Sequence, residues 1–148
     1  MGSVKRYAYT SLVSIIAITF PAMGHASGSA GTYERKDGES GGGTITVEDS
    51  SGSVRLVVQI GGIPNGAATP ADCGFIAEGK IAAGIFLGTV TRQNVLADLS
   101  PQGDAASPGL PALGAVLKRG SIRLTDAIAA PYCGGDGYTL DGDFVRKH

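Results

Sequence analysis

Histidine is almost missing from this chain. His25 lies in an amino-terminal segment and His148 stands at the other end of the sequence, so the body between them has no imidazole. That removes the commonest general base from the reach of a serine or cysteine nucleophile, and no Gly-x-Ser-x-Gly stretch occurs. It also removes zinc, because two cysteines fall short of the four ligands a closed site needs. Aromatic residues are few, at 6%. No sustained 3.6-residue apolar period appears beyond the first segment, which argues against helical architecture. The run "GGG" (41–43) leads into a strand pattern, whereas a phosphate cradle leads into a helix. Carboxylates could still work in pairs, but Glu34, Glu48, Asp72, Glu78 and Asp126 show no telling spacing. The expectation is a protein that is not an enzyme, with no cofactor and no metal.

The amino terminus is more definite. "MGSVKR" carries Lys5 and Arg6, "YAYTSLVSIIAITF" is apolar, and "PAMGHASGSA" supplies small residues. This is the layout of a secretory signal peptide, and its apolar run is short of the roughly 20 residues that span a bilayer. Cleavage is expected after Ala26, with Ala30 as the alternative. Residues 1–26 are then a signal peptide and 27–148 one domain, periplasmic or secreted, with no stable membrane anchor after cleavage. That domain holds ten basic and thirteen acidic residues. Its net charge of −3 disfavours nucleic acid and favours a basic partner. In an exported chain the pair Cys73 and Cys133 reads as a disulfide.

What the body does contain is glycine, 24 in the whole chain, and short apolar runs between glycine-rich breaks. That pattern predicts an all-β domain. "TITVE" (44–48) and "SVRLVVQI" (53–60) read as a hairpin around "DSSG", with Val54, Leu56, Val58 and Ile60 on one face and Arg55, Val57 and Gln59 on the other. "CGFIAEGKI" (73–81) and "IFLGTVT" (85–91) form a second hairpin, with Phe75 and Ala77 inward and Glu78 outward. A helical turn is expected near 92–99, and a surface excursion over 99–114, which holds three prolines and three glycines. Strands follow at 115–120 and 121–127, the second with Ile122 and Leu124 facing in. "GTYER" (31–35) and "GDFVR" (142–146) share the pattern Gly-x-aromatic-x-Arg. They predict a first-to-last strand pairing that closes a barrel, with the aromatic inside and the arginine along the rim. The whole is expected to be a small antiparallel β-barrel of about eight strands with one disulfide.

The final stretch "CGGDGYTLDGDFVRKH" sets three aspartates among four glycines. Asp136, Asp141 and Asp143 lack the alternation and closing glutamate of a calcium loop, so the reading is structural, a tight reversal feeding the last strand. Binding is left to two loops, "GGIPNGAATPAD" (61–72) and "APYCGGDGY" (130–138), which the disulfide would hold together at one barrel end. Asn65 and Thr69 in the first, with Asp136 and Tyr138 in the second, are the candidate binding residues. Tyrosine combines a large contact area with a polar tip. Tyr132 has two readings, packing on the disulfide or facing a partner.

The order "GTYER", "ADCGFIAEG", "YCGGDGYTLDGDFVR" after an export signal resembles that of small periplasmic inhibitors of c-type lysozyme. The resemblance implies an antiparallel barrel that inserts a loop into the lysozyme cleft. Members of the membrane-bound branch carry a Ser-Gly-Ala-Arg-Tyr loop. Here "SSGSVR" (50–55) is similar but lacks the tyrosine, so no inhibitory residue carries over. The resulting expectation is an exported non-enzymatic binding protein, a lysozyme inhibitor acting through barrel-end loops. The alternative is a lipocalin-like carrier of a small apolar ligand, held in an interior lined by Val54, Leu56, Val58 and Phe75.

Overall fold

Among the described residues strand follows strand with a single interruption. The computed structural model describes residues 28–35, 42–50, 52–61, 73–96, 102–125, 130–133, 140 and 142–148. In chain order these form β1 (Gly31–Arg35), β2 (Gly43–Ser50), β3 (Ser53–Ile60), β4 (Cys73–Ala82), β5 (Ile85–Gln93), β6 (Asp104–Ala105), β7 (Ala112–Lys118), β8 (Ser121–Leu124), a four-residue helix α1 (Ala130–Cys133) and β9 (Asp143–Arg146). Every pairing is antiparallel. The order β4-β3-β2-β1-β9-β8-β7-β5 returns on itself through β4–β5, so eight strands close a barrel and β6 is an extra strand on β5.

The first-to-last pairing read from the repeated pattern is present. Tyr33 lies opposite Arg146 and Glu34 opposite Val145. The Lys147 amide adds a bond to the Thr32 carbonyl at 2.8 Å. Closure leaves the eight barrel strands without a long exposed edge. The Arg146 guanidinium reaches past the seam to the carbonyls of Gly28 and Ala30.

Period-2 alternation places the core. Val54, Leu56, Val58 and Ile60 of β3 face inward and are buried, as are Phe75 and Ala77 of β4, and Ile122 and Leu124 of β8. Tyr33, Ile45, Phe86, Leu113, Ala115 and Phe144 complete the interior from the other strands. Burying each of the larger apolar side chains stabilises the fold by about 1.5–3 kcal/mol. The outward set is polar where it was expected to be, with Glu78 exposed and Arg55 and Gln59 half-buried.

Two-residue turns fix the register of the hairpins. Ala82 pairs with Ile85, and both intervening residues, Ala83 (φ 50°) and Gly84 (φ 78°), take the positive φ of a type I′ turn. Ser50 pairs with Ser53, and Lys118 with Ser121. These three turns lie at one end of the barrel, beside the start of β1 and the finish of β9. The longer connections β1–β2, β3–β4, β5–β7 and β8–β9 all leave from the opposite end. The barrel therefore has a turn end and a loop end.

Two expectations are corrected. Residues 92–99 do not begin with a helical turn, because β5 runs on through Arg92 and Gln93, whose partners are Ile76 and Phe75. The 99–114 segment is not a plain surface excursion: it contains β6, and β7 starts at Ala112. The one helix among the described residues, α1, was not anticipated.

Candidate functional site

Cys73 opens β4 and Cys133 ends α1, and their Cα atoms are 5.3 Å apart across the disulfide. The expected crosslink is present, and it joins the far end of the β3–β4 connection to the middle of the β8–β9 connection at the loop end. The residue before the second cysteine explains how the joint is seated. Tyr132 is 1% exposed, and its ring lies 5.1 Å from that of Phe75 at an interplanar angle of 31°. Its hydroxyl donates to the Ala112 carbonyl at 3.4 Å. Tyr132 is thus a core residue that stoppers the barrel, which settles the two readings in favour of packing.

Gln93, at the end of β5, adds a second clip. Its amide nitrogen donates to the carbonyls of Tyr132 at 2.8 Å and Pro131 at 3.4 Å, satisfying acceptors that so short a helix cannot pair internally. Its amide oxygen accepts from the Ser107 backbone N–H at 2.8 Å. One side chain therefore links β5, α1 and the β5–β7 connection. At the base of the β3–β4 connection, the Gly61 amide donates to the Gly42 carbonyl at 3.0 Å, which brings in β1–β2 as well. All four long connections are tied down at their bases.

Arg35 corrects the expectation of an arginine along the rim. It is 7% exposed and follows Tyr33 on the inward face of β1. Its guanidinium carbon sits 5.1 Å from the centroid of the Phe144 ring, a cation–π distance. Gly142, at φ 115°, packs on its aliphatic stem, so the stem is part of the core and the charge is held at the mouth of the barrel. On the outer wall Asp143 is exposed and takes two bonds from Arg123 at 2.9 Å each.

The candidate binding residues Asn65, Thr69, Asp136 and Tyr138 lie outside the described residues, as does Asp141. The structure brings together the stems on which they stand, Gly61, Cys73, Tyr132, Cys133 and Leu140. Sequence reasoning missed Gln93 and the inward turn of Arg35. The alternation in "GTYER" does place Arg35 on the face of Tyr33, and that signal was available. Nothing in "TRQNV" marks Gln93, whose partners lie in other connections.

At this end of the barrel the described bases of the long connections are tied to one another. Such an arrangement can present side chains to a partner with little loss of backbone freedom on binding. No protein-family model, curated protein or solved structure matches this chain.

Proposed function

We propose that the protein is an exported, non-enzymatic binding protein whose loop end engages a basic protein, a c-type lysozyme. The observation that carries this reading is the asymmetry of the barrel. The turn end has connections of two residues, while every long connection leaves from the other end and is fastened there by Cys73–Cys133, Gln93 or the Gly61–Gly42 bond. A fastened loop cluster on a closed barrel is a common design for recognition. The excess of three acidic charges in 27–148 favours encounter with a basic partner. Interior positions occupied by Tyr33, Phe75, Phe86, Phe144 and Tyr132 favour binding at the loops over carriage of an apolar ligand inside.

The test is suppression of peptidoglycan lysis by added c-type lysozyme. Stoichiometric protein is expected to suppress it, and Asp136→Ala or Tyr138→Ala to weaken suppression at least about tenfold, a loss of about 1.4 kcal/mol, with melting unchanged. Undiminished lysis in the presence of excess folded protein would overturn the reading.

A further inference from the structure

Behind the loop end, the outer wall of the barrel carries a groove of about 650 Å³, in the size range of small-ligand sites. It exists because the chain after β5 folds back over the wall. Asn94 takes the left-handed conformation at φ 55°, its side-chain amide donates to Asp104 at 3.0 Å, and the Val95 amide donates to the Gly74 carbonyl at 3.0 Å. Val95 and Ile76 are both buried. The overhang is fixed tightly enough that a Cβ at position 74 would run into the Val95 carbonyl.

Three apolar residues line the groove: Ile76 and Val95 are each 1% exposed, and Val57 is half-buried. The rim is charged and divided. Arg92, Gln59 and Gln102 border the half nearer the loop end; Glu48, Arg55 and Glu78 border the other. Arg55 is engaged by Glu48 at 3.3 Å. Glu78 and Arg92 make no ion pair among the described residues. Arg92 stands opposite Ile76 on β4, two residues before Glu78, so the two charges are offset by about 7 Å along the strand. An extended dipeptide has about the same reach between its charged ends.

We propose that this groove binds a short zwitterionic peptide with an apolar side chain. The peptide carboxylate lies on Arg92, flanked by the two glutamine amides, its ammonium lies on Glu78, and one of its side chains lies against Val57. A guanidinium suits a carboxylate through paired donors. The rim contributes two acids and two bases, which matches a ligand of no net charge. This site is separate from the loop end, and neither proposal needs the other.

The experiment is an NMR titration of the full chain with the dipeptide leucylleucine. Amide shifts are expected at Val57, Ile76, Glu78, Arg92 and Val95. Acetylating the peptide amine or substituting Glu78→Gln should each raise Kd at least about fivefold, and amidating the carboxylate or substituting Arg92→Gln should do the same. Both substituted residues are exposed, and an unchanged melting temperature confirms that each variant is folded. Lysozyme suppression should be the same in both variants. Absence of shifts at roughly 10 mM peptide, shifts confined to other residues, or a Kd indifferent to the change at either end would overturn the proposal.

Discussion

Residue 74 can carry nothing larger than hydrogen. A methyl group there meets backbone, which cannot swing aside as a side chain would. Gly74→Ala is therefore expected to destabilise the protein by about 1–3 kcal/mol, the range for overpacking at a well-packed site, and to shift amide resonances at Val95 and Asn94. Urea unfolding with an NMR spectrum of the variant measures both. Phe75, one position on, is fully buried against Tyr132; Phe75→Ala is expected to cost about 3–5 kcal/mol. By contrast the Arg123–Asp143 pair is short but more than half exposed on both sides. Arg123→Ala should change stability by less than about 1 kcal/mol, as is usual for surface pairs. At this scale the inward residues of β3, β4 and β8 were legible because alternation is a local property. Arg35 was misread because what permits its burial, the ring of Phe144, comes from the far end of the chain.

Strands β4 and β5 meet at a turn with one awkward residue. Ala83 holds a positive φ that costs an L-residue about 1–2 kcal/mol. Ala83→Asn keeps the turn and tolerates that conformation better, so it is expected to stabilise the protein by about 0.5–1 kcal/mol, read as a raised urea midpoint with an unchanged slope. Gln93→Ala works the other way. It leaves β5 paired but unfastens α1 from the β5–β7 connection, with an expected loss of about 1–3 kcal/mol and faster amide exchange at Ser107. The hairpins were legible because their turns and apolar faces are written within a few residues. Segment 92–114 was not. Val95 is apolar at a spacing that also suits a helix, and only the pairing of Gln93 with Phe75 and the bond from Val95 to Gly74 decide for an extended path. The start of β7 at Ala112 is set by Thr89 across the ladder, since Ala and Gly carry little strand preference of their own. The loop end was legible as a place, through its cysteines, but the side chains that fasten it were not.

For the whole molecule, the disulfide spans a sequence separation of 60 residues. In the chain-entropy model a loop of that length is worth about 4 kcal/mol. Reduction is expected to lower the melting temperature by more than about 10 °C, detected by circular dichroism with and without reductant. Retention of full thermal resistance by the reduced protein would mean that α1 is held by Tyr132 and Gln93 alone.

The seam between β1 and β9 has a further consequence. The ring needs a piece from each extremity of the sequence, and the later piece is the eighth and last of its staves to be made. Until β9 arrives, β1 and β8 are open flanks with unpaired amides, an invitation to pair with the wrong chain. A product truncated before Asp143 would keep both flanks exposed indefinitely, so the arrival of β9 and shielding from aggregation are here the same event.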